Sequence, residues 1–263
     1  MADLWKYTRT QSDTDASTFF AACVTAGTTL SGTQQTAIYG LVQGLKQTGL
    51  WSKMTALYPF VGGTAGCHAI NLKSPGTYNI TWSGTVTHNS NGITGNGSTG
   101  YGDTGLNANT VLSATSNHVS IYSRTNSLAN TTEIGCLNSS SLYKIFAIYA
   151  EYSNSTFYTS NGQEAELGVP ATDSLGFMVG SRVGASSVAS YKRGIKVKAG
   201  TNASTGLPSL NVCVLAQNFG GTNRNFSSRN LSFASIGSGL TDSDASNLSL
   251  LVQSYQSVLG RAV

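Results

Sequence analysis

Carboxylates that could act as paired acid and base are scarce in this sequence, with 11 Asp and Glu among 263 residues. A retaining glycosidase needs two carboxyl groups roughly 5 Å apart, one of them with a raised pKa. Glu164 and Glu166 come nearest, because alternate residues of a strand share one face. However, they follow Asn161-Gly162 and precede Gly168, so we expect them at a loop tip. We therefore predict no catalytic residues and no enzymatic activity.

Metal ligands show no convincing pattern either. The three histidines are His68, His88 and His118. Their spacing builds no metal site with another His or Cys, so we interpret them as ordinary surface or strand residues. Calcium prefers several oxygen ligands, and Asp103 with Asn107 and Asn109 is the only local cluster of that kind. We regard this cluster as a weak calcium candidate and otherwise expect no metal and no cofactor.

Aromatic side chains are the best candidates for binding chemistry. A sugar needs an apolar ring face together with planar polar groups that give directional hydrogen bonds. The candidates for glycan binding are Trp82, Tyr101, Tyr122, Tyr152, Tyr158 and Tyr191. The alternative for each is that its ring fills the core or covers its edge, since a pocket uses few aromatics.

A helix near the C-terminus is the most clearly predicted of the elements that must position these residues. Thr241 and Asp244 form a capping-box arrangement, and Gly260 ends the helix. Its apolar side chains recur at helical spacing: Leu248, Leu251, Val252, Tyr255, Val258 and Leu259. One stripe of this kind indicates an amphipathic helix docked on the rest of the protein.

The N-terminal part also has a helical pattern. Residues 1–12 form an arm, and residues 13–58 form a helical segment with a first helix starting at Asp13 or Asp15. A second helix starts at Thr33, and a short third piece ends before Pro59, because the residue preceding proline disfavours the helical conformation. Leu4, Trp5 and Tyr7 are apolar residues in the polar arm and are candidate anchors to partner proteins.

Residues 59–240 change to a period of two and to short apolar runs. The predicted strands are 68–72, 79–82, 119–124, 132–137, 143–151, 156–159, 174–182, 187–192, 195–199, 211–217 and 232–236. Short strands at this spacing, with no helices between them, indicate an antiparallel sandwich or barrel. Arg193-Gly194 reads as a two-residue hairpin turn. We predict one mainly β domain, closed by a helical segment over 241–263.

Composition excludes several classes of function. Only 10% of residues are charged, and the formal charge of +4 is scattered apart from a small basic cluster at 192–198, so we expect no nucleic-acid partner. No apolar run is long enough to span a membrane, and the first residues do not resemble a signal peptide. Four cysteines without a C-x-x-C pair favour buried thiols, at least for Cys23 and Cys213.

Several segments resemble one family when they are taken in order. The segments are GNGSTGYGDTGLN (95–107), SLGFMVGSRV (174–183), YKRGIKVKAG (191–200), LPSLNVCVLAQN (207–218) and the run from 233 to 261. Together with the helical entry LWSKMTALYPFVGGTAGCHAINLK (50–73), they resemble concanavalin-A-like, laminin-G-type jelly rolls of tailed-phage structural proteins. Arg193 stands where that family usually has Asn, and the E-x-D-x-E strand of its glycosidases is not present.

The resemblance implies an antiparallel β-sandwich of the concanavalin-A-like jelly-roll type, carried on a virion surface after assembly in the host cytoplasm. It implies a structural protein of the capsid surface, fibre or tail that contacts other virion proteins, copies of itself or host glycans. Since fold alone does not define function, a stand-alone carbohydrate-binding lectin and, less favoured, a glycan hydrolase stay as alternatives.

Overall fold

The computed structural model describes residues 13–138 and 143–263. The helices are α1 (Thr14–Thr25), α2 (Gly32–Gln47), α3 (Ala65–Ala69), α4 (Ala108–Val111) and α5 (Asp242–Val258), with a 3-10 turn at Leu50–Lys53. None of the helices in this described part is long and apolar enough to cross a membrane. The anchor candidates Leu4, Trp5 and Tyr7 lie outside the described residues.

Two sheets account for the strands of the described chain. The first sheet contains β1 (Met54–Tyr58), β3 (Val86–Asn89), β4 (Gly92–Gly95), β6 (Asn117–Ser123), β11 (Gly176–Gly184), β12 (Ser187–Lys192), β13 (Ile195–Gly200) and β17 (Asn230–Gly237). The second contains β2 (Thr81–Ser83), β5 (Tyr101–Asn107), β7 (Ile134–Leu137), β8 (Ile145–Tyr152), β9 (Thr156–Gln163), β10 (Leu167–Pro170), β14 (Asn211–Val214), β15 (Gln217–Phe219) and β16 (Thr222–Arg224). We call them the eight-stranded and the nine-stranded sheet.

The strand order places distant parts of the chain side by side. The eight-stranded sheet runs β13-β12-β11-β6-β17-β4-β3, with β1 also on β17, and the nine-stranded sheet runs β10-β9-β8-β7-β14-β5-β2. Pairing is antiparallel except for the short parallel contact of β15 with β7. This arrangement confirms the predicted antiparallel β-sandwich with helices at both ends of the sequence.

The inner faces of the two sheets form one apolar core. Along β8, the inward residues Phe146 and Ile148 alternate with the outward residues Ala147 and Tyr149, as the period of two requires. The inward set meets Met178 and other residues of the eight-stranded sheet. The strand alternation therefore decides which side chains are left for the outer faces.

The outer face of the eight-stranded sheet is covered by helices. Leu248 and Val252 of α5 pack in one cluster with Phe177 and Phe233 of the sheet and with residues of α1 and α2. At the contact of α2 with α5, a Cβ atom on Gly44 would lie 2.3 Å from Leu251 Cδ2, so glycine lets the Leu251 side chain pack directly on α2. The predicted docking of the last helix is confirmed.

Local signals in the sequence set several boundaries. Thr241 and Asp244 form the predicted capping box, and Asp13 caps α1. The second helix starts one residue earlier than expected, because Ser31 and Gln34 form a capping box of their own. Arg193 and Gly194 both have positive φ, at 51° and 80°, which is the geometry of a type I′ hairpin turn.

Other predicted elements were wrong. The helical segment 13–58 stops at Lys53, and Met54–Tyr58 forms β1, with Met54 and Leu57 facing the helices and Ala56 and Tyr58 facing the inner core. Apolar residues on both faces of a strand imitate a helical pattern. Residues 68–72 do not form a strand, since the Thr64 hydroxyl caps the short helix α3. Strands β3, β4 and β5 were not predicted.

Candidate functional site

The outer face of the nine-stranded sheet carries an aromatic cluster that no helix of the described chain covers. Tyr149 and Tyr152 lie on β8, Tyr158 lies on the neighbouring β9, and Phe219 lies on β15. The three tyrosine rings are mutually edge-on, with centroids 5.9 to 6.4 Å apart and interplanar angles of 88° to 89°. Such pairs hold the rings in fixed orientations. The cluster is therefore a preformed surface of ring edges and faces.

These rings border a depression of about 320 Å³, which we call the tyrosine pocket. Its walls are Leu137, Tyr149, Tyr152, Asn154, Tyr158, Glu166, Gln217, Arg224 and Asn225. The volume lies at the lower end of the range for small-ligand sites and suits one or two sugar rings. The combination of aromatic rings with amide and charged groups is the one that sugar recognition requires.

A chain of hydrogen bonds fixes one side of the tyrosine pocket. The Arg224 guanidinium lies 3.3 Å from the ring centroid of Phe219, and its Nε donates to Gln217 Oε1 at 3.2 Å. Gln217 is buried, and its Nε2 donates to the Tyr149 hydroxyl at 2.7 Å. Burial raises the pKa of Tyr149, so this hydroxyl stays protonated at neutral pH. The polar groups here are held in place before any ligand arrives.

The opposite side of the tyrosine pocket is more exposed. Asn154 Nδ2 donates to the Tyr158 hydroxyl at 2.7 Å, across the turn that joins β8 to β9. Glu166 lies in the turn before β10, as Glu164 does, so the predicted loop-tip position of both glutamates is confirmed. Only Glu166 of the two lines the tyrosine pocket.

Two of the six predicted glycan-binding aromatics meet in this pocket, namely Tyr152 and Tyr158. Trp82 and Tyr101 lie elsewhere on the nine-stranded sheet. The Trp82 ring packs edge-on against His88, 4.7 Å between centroids, and its Nε1 donates to the carbonyl of Ala65. Tyr101 packs against Phe226, 6.2 Å between centroids.

Tyr122 and Tyr191 are buried and offer no ring face to a ligand. Both project from the outer face of the eight-stranded sheet into the helix layer, where Tyr122 is fully buried and Tyr191 is 3% exposed. The Tyr122 hydroxyl donates to Gln253 Oε1 at 2.9 Å, and the Tyr191 hydroxyl donates to Asp242 Oδ1 at 2.8 Å. These two rings tie the sheet to α5, because the helices cover the face on which they lie.

The calcium candidates use their oxygens for local structure. Asp103 Oδ1 accepts from the Gly105 amide, and its Oδ2 accepts from Asn211. Asn107 caps the four-residue helix α4, in which Asn109 lies. Within residues 13–138 and 143–263, no three His, Cys, Asp or Glu side chains group as metal ligands would.

A second depression, of about 780 Å³, lies on the eight-stranded sheet between the β12–β13 hairpin and the start of α5. Its charged groups Lys196 and Asp242 form an ion pair with each other. Its aromatic residue, Tyr191, is buried and directs its hydroxyl to that same carboxylate. The tyrosine pocket is therefore the better candidate, since the half-buried rings of Tyr152 and Tyr158 and the exposed Arg224 are free to meet a ligand.

Sequence reasoning missed Tyr149, Gln217 and Arg224. The alternation in Ile145–Tyr152 carried a signal for Tyr149, because its position shares parity with Ala147 on the outer face. Gln217 and Arg224 come from β15 and β16, two three-residue strands that were predicted as part of a longer strand or not at all.

Comparisons with known proteins agree on the fold. No family model and no curated protein matches the chain. Among solved structures, the chain is similar to a structure of botulinum neurotoxin type C, whose cell entry depends on interaction with two ganglioside molecules. The TM-score is 0.52 and the identity is 13%, and the match covers 79% of this chain and 53% of that chain. The chain is also similar to the Trypanosoma rangeli sialidase in complex with sialic acid, with TM-score 0.51 and 10% identity over 76% of this chain and 33% of that chain. The chain spans only part of both proteins, and identities this low establish the fold alone.

Proposed function

We propose that this protein is a non-enzymatic glycan-binding module and that the tyrosine pocket is its binding site. The observation that carries this proposal is the set of fixed tyrosine rings, with Tyr152 and Tyr158 half-buried and Tyr149 below them, that borders a pocket beside amide and charged side chains on the open sheet. Sugar rings stack on aromatic faces, while their hydroxyls bond to planar polar groups. The two structural neighbours contact gangliosides or sialic acid, which is in keeping with this role.

Binding is favoured over hydrolysis by the carboxylates around the site. Among the described residues, Glu166 is the only carboxylate in the pocket wall, whereas a glycosidase of the usual kind needs two. Glu164 shares its loop but does not line the pocket. We therefore expect no release of reducing ends when the protein is incubated with polysaccharides that it binds.

A glycan array probed with the purified protein tests the proposal. We expect saturable binding to a defined set of glycans, and we expect Tyr158→Ala to reduce it at least tenfold by removing a half-buried wall of the pocket. Tyr101→Ala is the matched control, since Tyr101 is also a half-buried tyrosine of the nine-stranded sheet and lies outside the pocket. Loss of binding in Tyr101→Ala alone would show that the binding site lies near Tyr101 and not in the tyrosine pocket. Absence of any binding by the wild-type protein would refute the proposal.

The proposal also assigns the module to the surface of a tailed-phage particle, where it would meet host glycans or other virion proteins. This part depends on the ordered sequence motifs that resemble phage jelly rolls. Leu4, Trp5 and Tyr7 are the proposed anchors, and self-association into a symmetric oligomer is expected for a fibre or capsid decoration. Deleting residues 1–12 should abolish incorporation into particles while the melting temperature stays unchanged. Normal incorporation of the truncated protein would contradict the anchoring role.

A further inference from the structure

The Arg224 side of the tyrosine pocket presents hydrogen-bond donors to a ligand. From this we infer that the pocket selects an acidic glycan residue, whose carboxylate binds between Arg224 and the hydroxyl of Tyr149. The inference rests on the proposed glycan-binding function and adds the chemical class of the ligand to it. Four observations support it: the state of Arg224, the orientation of Gln217, the protons left on the tyrosines, and the position of Glu166.

Arg224 is held in place but not neutralised. Stacking on Phe219 and the bond from Nε to Gln217 fix the plane of the guanidinium. In the part of the chain that the structure describes, Arg224 forms no ion pair, and its two terminal nitrogens donate to no residue. A fixed, exposed guanidinium with its fork of N–H groups unused matches the two oxygens of a carboxylate.

The hydrogen bonds around Gln217 determine which atoms its neighbours can offer. Arg224 Nε and Asn225 Nδ2 both lie near Gln217 Oε1, at 3.2 and 3.5 Å, and both are donors. This fixes the amide with its oxygen toward Arg224 and its nitrogen toward Tyr149. The Gln217 amide thus donates to the Tyr149 hydroxyl, which is left to donate its own proton.

Tyr158 is in the same state as Tyr149. Its hydroxyl accepts from Asn154 Nδ2, so its proton is also free for a ligand. The hydroxyls of Tyr149 and Tyr158 and the guanidinium of Arg224 therefore line one depression, and each keeps a donor that no described residue accepts. A carboxylate supplies acceptor lone pairs and no donor, whereas each sugar hydroxyl brings a proton that needs its own acceptor.

Glu166 limits where the negative charge can bind. It lines the same pocket, but no oxygen of its carboxylate lies within 4.0 Å of an Arg224 nitrogen, since the two form no ion pair. Its charge contributes to the raised pKa of Tyr149, while the charge of Arg224 opposes that rise. The pocket is therefore polarised, with the Arg224 side suited to the carboxylate and the Glu166 side suited to the hydroxyls of the same or the next sugar.

The test uses an array on which glycans ending in a carboxylated sugar stand beside their neutral and sulfated counterparts. We expect the wild-type protein to bind the carboxylated set, with affinity falling as salt rises. Arg224→Gln should weaken that binding about 10- to 100-fold, the range for losing hydrogen bonds to a charged group, and Arg224→Lys should restore only part of it. Glu166→Gln should bind the carboxylated set more tightly, because it removes a negative charge from the pocket wall, and Glu164→Gln, in the same loop but outside that wall, should bind as the wild type does.

Each other outcome has a definite meaning. Binding to neutral glycans only, or unchanged binding of the carboxylated set by Arg224→Gln, overturns this inference and leaves the glycan-binding function standing. Preference for sulfated over carboxylated glycans overturns the choice of carboxylate. A wild-type protein that binds no glycan refutes both. Because Arg224 is exposed, its variants should keep the wild-type melting temperature, which is checked first.

Discussion

The two outer faces of the sandwich carry similar aromatic residues but differ in whether helices cover them. Strands of both sheets project aromatic rings outward, Tyr122 and Phe233 on the eight-stranded sheet and Tyr149 and Tyr158 on the nine-stranded one. On the first sheet, α1, α2 and α5 cover those rings completely, whereas the rings of the second sheet border an open pocket. Exposure of an aromatic residue is thus decided by where the helices dock, not by the strand that carries it.

The same contrast holds for arginines. Arg261, which follows α5, is 1% exposed, and its guanidinium donates to the carbonyls of Pro59, Phe60 and Ser232. Arg224, on the open sheet, is exposed and leaves its terminal nitrogens without a partner in the described chain. Buried donors must be satisfied inside the protein, while exposed donors can be kept for a ligand.

The largest expected effect comes from breaking the helix layer. Leu251→Asp places a charge against Gly44 at the contact of α5 with α2, so we expect a loss of about 3–5 kcal/mol in the free energy of unfolding, or insoluble protein. Leu250→Asp is the control, because Leu250 is 67% exposed on the same helix and should change stability by less than about 0.5 kcal/mol. Chemical denaturation of both variants measures the difference. Equal stability of the two would contradict the docking of α5.

The same substitution, Arg to Gln, can be made at the buried Arg261 and at the exposed Arg224 to compare the two settings. Arg261→Gln should cost about 3 kcal/mol, because several buried carbonyl groups lose their donor, including that of Phe60, whose φ is 42°. Arg224→Gln should leave stability within about 0.5 kcal/mol of the wild type and should change ligand binding instead. Denaturant titrations of the two variants in parallel provide the measurement. A small cost for Arg261→Gln would mean that water replaces the guanidinium among those carbonyls.

Lowering the pH should reduce the stability of the fold, through its buried histidines, before it weakens ligand binding in the tyrosine pocket. Burial lowers the pKa of His68 to about 3 and that of His118 to about 4, below the ordinary value of 6.5. His68 Nε2 accepts from the Gly63 amide, so its proton is on Nδ1 and bonds to His88 Nδ1 at 3.1 Å, an arrangement that requires both rings to be neutral. Below pH 6.5 the unfolded chain binds protons that the folded chain does not, so stability is lost as pH falls toward 4.

At pH 5 the loss should be about 2 kcal/mol for each of these two histidines. Melting temperatures between pH 7.5 and 4.5 measure it, and a His118→Asn variant should show a shallower dependence on pH than the wild type. No histidine of the described residues lines the tyrosine pocket, so binding should persist at pH 5.5 as long as the protein is folded. A melting temperature that is flat down to pH 4.5 would show that both histidines ionise freely in the folded protein.

Sequence reasoning reached the parts of the fold that local signals specify. The caps at Asp13 and Thr241 are properties of short segments, and so is the hairpin at Arg193-Gly194. It failed where the neighbours decide: Met54–Tyr58 is a strand because β17 pairs with it, although its own pattern imitates a helix. Strands β3 to β5 are rich in Gly, Thr and Asn, with few apolar residues to mark their alternation.

Only part of the candidate site could be predicted, because the rest depends on how strands pair and where helices dock. Tyr152 and Tyr158 were named, but so were Tyr122 and Tyr191, because outward tyrosines on the two sheets cannot be distinguished until the helices are placed. Tyr149 was hidden in an apolar run, and Arg224 reaches the pocket from a strand of three residues. A pocket built across several strands depends on pairing that single segments do not encode.

The smallest expected effect comes from removing one tyrosine hydroxyl from each outer face of the sandwich. The Tyr122 hydroxyl is buried, bonds to Gln253 Oε1 and the Val263 carbonyl, and accepts from the Val263 amide. Tyr122→Phe should therefore cost about 1 kcal/mol, the usual net contribution of such hydrogen bonds, because its partners Gln253 and Val263 lie at the exposed edge of the helix layer and can bond to water. Tyr158→Phe removes a hydroxyl whose one bond is to the exposed Asn154, and it should cost less than about 0.5 kcal/mol while weakening glycan binding. Equal losses of stability in the two variants would show that the hydroxyls of the open face are as fully committed to the fold as those of the covered one.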